Sequence, residues 1–365
     1  MQNLHFLWQN PAIRCGFRRA VCLHGHTLHS EECLWFLPRY LQLIPGMAQL
    51  LPHWSAGVDF ARAWWTPPLT PASALELERE QIRRLDLAPT VSLTDHDKIE
   101  AGLALQVTCA RSDTPVSVEW TLPYERSILH IGVHNLPLGT DRAWMREMME
   151  LTASPNEQLA RDLLHSLCEL PGALVVLNHP FWMEEGVEEA QHRFALDRFL
   201  RECLDCFHAF EINGTRVWQE NRDTMALARA FGRPIVSGGD RHACEASACL
   251  NLTNAATFAE FAAEVREGQS TVLLMPQYRE PMAMRILEAA WDILRPYPEY
   301  PGRTHWSDRI FYRSEDGQPR SLSEIWNGRA PWPLDGVAGA LGLFAGTRFR
   351  TALRLVLAKR GEVLP

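Results

Sequence analysis

The sequence predicts an α/β protein whose strands surround a parallel sheet or barrel, with a helical insertion near the N-terminus and a helical appendage at the C-terminus. Three observations carry this. From Ala20 onward short apolar runs alternate with amphipathic stretches, the pattern of strand and helix units. Six or more of the predicted strands finish in His, Asp or Glu. Apolar residues make up 46% and charged residues 22% of the 365-residue chain, ordinary globular usage that supplies a sizeable core. That length allows two domains, or one large barrel with an appendage.

In chain order, RAVCLHGHT reads as a strand ending in polar residues. Residues 33–68 then break the rhythm with an apolar, aromatic stretch longer than a normal strand-to-helix connection. It predicts an inserted helical lid or wall. Its Trp35, Trp54, Trp64 and Trp65 either line a hydrophobic pocket or pack onto the barrel, and packing is the commoner fate of such residues. TPAS supplies a capping signal for a helix over ALELEREQIRRLDL. Strands follow in TVSLTDHD, TPVSVEWTL, SILHIGVHN, ALVVLNHPF, CFHAFEING and RPIVSGGDRH. Parallel strands that deliver polar side chains at their C-terminal ends converge them on one face of a barrel. Beyond Met275 the strand rhythm stops, leaving residues 281–365 as a C-terminal helical extension to a 1–280 barrel. Helices are expected near 283–294 and 347–360, around Pro-rich and polar turns. The last helix, TRFRTALRLVLAKR, is basic and amphipathic, so it docks on its own barrel or makes a peripheral membrane or partner contact.

Composition narrows the function. The net charge of -8, from 36 basic and 44 acidic residues, disfavours generic nucleic-acid coating. Nine scattered cysteines are not a secreted disulfide framework, so reduced thiols in the cytoplasm are expected. Cys203 and Cys206 form a lone CxxC in a helix-to-strand passage, where structural thiols are the favoured reading. No export signal and no apolar run of about 18 residues is visible.

The chemistry lies in the strand ends. His24 and His26, two apart, can grip one metal centre, and Glu31 follows in the next loop. His96, Glu119 and His130 come from three further strands, then His179 before Pro180, and finally Asp240 and His242, again two apart. One zinc needs three or four ligands, so these nine donors imply two or three divalent ions. Mixed imidazole and carboxylate donors suit Zn, Mn or Fe. Metal-assisted hydrolysis is the chemistry implied. Arg126, Arg216 and Arg241 are candidates for holding phosphate oxygens, and His134 and His208 for general acid to a leaving oxygen. Glu211 and Asn213, at another strand end, can orient substrate or a ligand.

The motifs HGHTLHSE, SLTDHDKIEAG, VEW with ILHIG, LNHPF and SGGDRH, in this order over residues 20–275, resemble the successive motifs of the PHP (polymerase and histidinol phosphatase) family. TDHD, and HIGVHN followed by a late NHP, resemble its stand-alone bacterial metal-dependent phosphoesterases more than its polymerase-attached domains. The resemblance implies a distorted (β/α)7 TIM-like barrel and a trinuclear site. It puts the HxH pair on His24 and His26, the TDH histidine on His96, the strand glutamate, a bridging carboxylate, on Glu119, and the next strand histidine on His130. His179 takes the HP position and Asp240 with His242 the closing DxH, while Asp95 supports His96. Three departures stand out. Cys22 occupies the place of an Asp before HxH, Glu31 that of an Asp after it, with His29 as a nearby alternative donor, and the last motif reads GGDRH in place of GSDxH.

A metal-dependent phosphoesterase acting on a small phosphomonoester is therefore the expected activity. A nuclease or nucleotide phosphoesterase of the same family, a catalytically lapsed metal-binding scaffold, and hydrolysis of a non-phosphate bond are the alternatives.

Overall fold

The computed structural model describes residues 3–34, 60–108, 114–328 and 330–345. Trp35, Trp54, most of the insertion and the helix expected over 347–360 lie outside the described residues. The chain divides into two compact units, one of Met1–His29, Leu69–Met282 and Glu362–Pro365, the other of Ser30–Pro68 and Ala283–Gly361. The insertion thus shares a unit with the C-terminal segment.

The first unit is a mixed α/β structure on a ten-stranded sheet. Its strands are β1 (Asn3–Phe6), β2 (Arg19–Gly25), β5 (Ala88–Val91), β6 (Val118–Tyr124), β7 (Ser127–His134), β8 (Leu174–Leu177), β9 (Ala209–Asn213), β10 (Ile235–Arg241), β11 (Cys249–Thr253) and β12 (Thr271–Leu274). The second unit contributes β3 (Glu32–Cys33), β4 (Ala63–Trp65), β13 (Ile310–Arg313) and β14 (Pro319–Ser321). The large sheet runs β1-β12-β11-β2-β10-β9-β8-β7-β6, with β5 beside β2. Most central strands are continuous buried runs, as LVVL in β8 and AFEIN in β9 show, because both faces are covered.

Pairing is parallel for β2 with β5 and β10, for β10 with β9, and for β9 with β8. It is antiparallel for β6 with β7, β7 with β8, and β11 with both β2 and β12. The all-parallel expectation is corrected at VEWTLPYERSILHIGVH. Only Glu125 and Arg126 separate β6 from β7, too few for a crossover, so the two strands fold back as a hairpin. Glu125 takes the left-handed turn conformation at φ 55°. Among the described residues no closed barrel is found in the strand ladders. Past β5 the chain makes two isolated parallel bridges, Leu93 to Val116 just before β6 and His96 to Glu119 within it.

The helix Pro71–Arg83 begins where TPAS predicts, with the Thr70 side chain accepting from the Ser73 N–H at 3.2 Å. Its buried Ala74, Leu75 and Ile82 join Ala20, Cys22 and Val91 in one core. The helices Asp141–Ala153, Glu157–Cys168, Glu189–Cys203 and Trp218–Ala230 flank a larger core that includes Trp120, Phe199, Phe207 and Phe210.

In the second unit β14-β13-β4-β3 form an antiparallel sheet, so the segment after 281 is not purely helical. Leu34, Ala63, Trp306, Ile310, Tyr312 and Leu322 form its core. Trp64 stacks on Phe311 and Trp65 packs against that core, so both pack within the second unit and not on the first unit's sheet as expected. Arg309 is 2% exposed and donates to the carbonyls of Ile293, Arg295, Arg303 and Thr304, which explains how an arginine can be buried without a carboxylate. Among the described residues no helix is long and apolar enough to cross a membrane.

Candidate metal centre

The parallel strands β2, β8, β9 and β10 bring their C-terminal ends to one region, and the segment past β5 joins them. His24 closes β2, Asn178 and His179 follow β8, Asn213 ends β9, and Asp240 lies at the end of β10. His96 arrives opposite Glu119 through its bridge to β6, and His130 is placed beside β8 by its carbonyl, which accepts from the Asn178 N–H at 3.0 Å.

Glu119 is the hub. Its Oε2 stands 2.8 Å from His24 Nε2, 3.3 Å from His26 Nε2 and 3.5 Å from His96 Nδ1. Its Oε1 is 3.1 Å from His179 Nε2 and 3.3 Å from His130 Nδ1, and accepts from Asn178 Nδ2 at 3.0 Å. A carboxylate offers about four lone-pair sites, fewer than the groups that crowd this one. Neutral imidazole lone pairs aimed at it repel it unless a cation intervenes. Divalent cations therefore fit this donor set, and its imidazole and carboxylate chemistry is of the right kind. Four sets of donor atoms here each lie within 4.8 Å of one another: His24, His26, Glu119 and Asp240; His24, His179 and Glu211; His96, Glu119 and His130; and the imidazoles of His26, His96 and His242.

Neighbouring groups aim these donors. His24 Nδ1 donates to Glu211 Oε2 at 2.8 Å, which turns Nε2 toward Glu119. Glu211 in turn accepts from Asn213 Nδ2 at 2.7 Å. Asp240 Oδ2 accepts from Arg216 Nη2 and Thr215 Oγ1, both at 2.9 Å, leaving Oδ1 toward His26 at 3.3 Å. Asp95 accepts from the Thr27 N–H at 2.5 Å and its hydroxyl at 2.8 Å, pinning the loop after His26. His24, His179 and Asp240 all hold positive φ, of 65°, 22° and 49°, a strained backbone of the kind that gathers at functional sites. At Gly238 a Cβ would come within 1.9 Å of Glu211 Oε2, so only glycine lets that carboxylate sit where it does.

The electrostatics follow the geometry. Burial alone would raise Glu119, but His24, His96 and His130 hold it well below the usual carboxylate range. Burial likewise opposes ionisation of Asp240, yet Arg216 and His24 keep it low. Burial would depress His24, and the Glu119, Glu211 and Asp240 carboxylates outweigh it and raise the imidazole.

Eight of the nine expected ligands thus converge: His24, His26, His96, Glu119, His130, His179, Asp240 and His242. Glu31 is exposed and falls in the second unit, and His29 is not in these groups. Cys22 is buried with its Sγ 3.1 Å from Ser247 Oγ. Arg216 is at the centre. Arg241, expected to hold phosphate, is 4% exposed and donates to Glu78 Oε1 and to the carbonyls of His26 and Ala243. Arg126 sits exposed in the β6–β7 turn. His208 accepts from the Val175 N–H of β8 and donates to the Cys168 carbonyl, so both ring nitrogens are taken up by backbone groups and neither joins the Glu119 cluster. His134 faces Ser92 Oγ at 2.7 Å, and burial pushes it down to about 3, leaving it neutral. The Cys203 and Cys206 thiols are pushed up by burial to about 11 and about 12.

Two residues escaped the sequence reading. Asn178 supports the hub, and Trp182 stacks on His130 at 4.7 Å with the Arg216 guanidinium 5.6 Å from its ring. Both flank His179 in the segment LNHPFW.

No protein-family model and no curated protein matches the sequence. Among solved structures, PsfC from Pseudomonas syringae is similar at 15% identity and a TM-score of 0.43, over 72% of this chain and 93% of that one. An amidohydrolase from Chromobacterium violaceum with bound sulfate and no metal is similar at 14% identity and a TM-score of 0.38, over 61% and 87%. An inferred metal-dependent phosphoesterase from Bifidobacterium adolescentis is similar at 14% identity and 0.30, over 48% and 83%. Likeness at that level assigns neither fold family nor activity.

Proposed function

We propose that this chain is a metal-dependent phosphoesterase of the PHP kind, hydrolysing a small phosphomonoester at a centre of two or three divalent ions. The observation that carries the reading is the buried Glu119 carboxylate ringed by five imidazole nitrogens at 2.8 to 3.5 Å. The overlapping donor groups that share Glu119 and His26 support more than one ion. The barrel of the resembling family belongs to the same reading, and the two bridges from the segment past β5, to Val116 and to Glu119 of β6, support it.

When bound, divalent cations supply Lewis acidity at the phosphoryl oxygens and make water acidic enough to ionise near neutral pH. His24, His26, His96, His130, His179, His242 and Asp240 would hold them, with Glu119 shared. Glu211 and Asn178 orient this set. Arg216, held by Asp240 and lying over Trp182, is the cation placed to meet a non-bridging phosphate oxygen. Trp182, stacked on His130, covers one face of that imidazole.

The test is elemental analysis of the purified protein beside hydrolysis of an aryl phosphate, a bis-aryl phosphate, an aryl ester and an anilide, with and without manganese. Two or more metals per chain and chelator-sensitive monoester hydrolysis are expected. Diester preference would favour the nuclease alternative, and amide or ester turnover alone would move the reaction away from phosphorus. Absence of both metal and turnover would leave a lapsed binding module.

A further inference from the structure

The sequence singles out Cys203 and Cys206 as a pair, but the fold gives Cys206 different partners. Cys168 closes the helix Glu157–Cys168, His165 stands one turn earlier on that helix, and Cys206 ends the short turn Leu204–Cys206. The Cys168 and Cys206 sulfurs and a His165 ring nitrogen lie within 4.8 Å of one another. We propose that His165, Cys168 and Cys206 form a second metal site, for a thiophilic cation of the zinc type, separate from the Glu119 centre.

The two sites occupy opposite ends of β8 and β9. These strands run parallel, and His208, just before β9, ties the Cys168 carbonyl to the Val175 N–H at the start of β8. Asn178, His179, Glu211 and Asn213 lie at or beyond the other ends. Donor chemistry differs as sharply: two sulfurs and one imidazole select soft ions, whereas the Glu119 set is all oxygen and nitrogen. Tetrahedral zinc with bonds of about 2.0 to 2.3 Å sets its donors roughly 3.3 to 3.8 Å apart, so this triad, already within 4.8 Å, closes by inward shifts of at most roughly 1.5 Å. Exposed His165 can supply that shift by rotation about its side chain. Cys206 is buried, Cys168 half-buried and His165 exposed, which leaves one side open for the ion to enter and for the two displaced thiol protons to leave. A bound ion would tie the end of one helix to the turn that leads into β9.

The test is titration of the reduced, chelator-stripped full chain with cadmium and with cobalt. Sulfur-to-metal charge-transfer absorption reports thiolate ligation, and the oxygen and nitrogen donors around Glu119 produce none. One equivalent of such absorption is expected in the parent protein. C168S should abolish it, H165A should weaken cadmium binding by about tenfold or more, and C203S and H179A should leave it in place. His165 is exposed, so H165A keeps the fold and isolates the ligand effect. No charge-transfer band, a band that survives C168S, or one that is lost in C203S would overturn the site.

Discussion

At the scale of single residues, the candidate centre is an exercise in aiming. His24 can turn Nε2 to Glu119 only because Glu211 holds Nδ1, and Glu211 can reach only because Gly238 has no side chain. G238A should therefore displace Glu211 and, through it, His24, lowering metal content and activity by about 10- to 100-fold. E211Q, which can still meet Nδ1, should lose less. Elemental analysis and turnover measured on the same preparations check both, and equal losses in the two variants would mean that charge on Glu211, rather than its placement, is what counts. His134 supplies a pH dependence. Its folded value of about 3 lies far below the unfolded 6.5, so the unfolded chain takes up the proton first. Stability is fully present above 6.5 and drains away as pH falls toward 3, by about 5 kcal/mol at most. Urea unfolding between pH 7 and 4 should show a shallower loss for H134Q than for the parent. Parallel slopes would show that His134 titrates normally. The ligand histidines were legible because each stands in a recognisable motif. The arginines were not, since partners decide whether a guanidinium meets substrate or protein, and Glu78, which claims Arg241, lies 163 residues away in sequence.

At the scale of elements, the same arginine shows how a helix supports the centre from outside. The helix Pro71–Arg83 carries Glu78, 1% exposed, whose carboxylate also accepts from the N–H and hydroxyl of Ser247. Arg241 then reaches the His26 carbonyl, so the helix helps fix the HxH backbone. Truncation by E78A leaves the Arg241 charge buried without its partner and should cost about 3 to 5 kcal/mol, read from the urea midpoint. The paired variant E78M/R241M, which removes both charges, should recover most of that loss. Failure to recover would assign the cost to packing. Strand and helix positions were readable from apolar runs and from TPAS, but strand direction was not. A run such as SILHIGVH is buried whichever way its neighbour points, and only the two-residue link after Tyr124 marks the hairpin. His24 illustrates the converse. Spacing by two suggested simple alternation on a pleat, whereas the backbone bulges at His24 and Asp240 where the β2 and β10 register slips.

At the scale of the whole molecule, the sequence rhythm stopped at Met275 because the second unit draws its sheet from distant pieces. β4 precedes β13 by more than two hundred residues, and each strand is only three or four residues long, too short for a periodicity to register. Each unit nevertheless has its own buried cluster, around Trp120 and Phe210 in the first and around Trp306 and Ile310 in the second. Glu119 and the imidazoles and carboxylate assigned to hold the ions, His24, His26, His96, His130, His179, Asp240 and His242, belong to the first unit. Calorimetry should accordingly resolve two transitions, since separate cores need not unfold as one. An ion that binds only the folded form stabilises by mass action, by about 2.7 kcal/mol at a free concentration one hundred times its dissociation constant. Chelation should therefore lower one transition and leave the other in place, and adding zinc or manganese back should restore it. In H179A the metal-dependent shift should shrink while the other transition stays fixed. A single transition that moves as a whole with metal would mean that the two cores melt together. Two transitions that both ignore chelator would remove the cations from around Glu119, and with them the proposed hydrolysis.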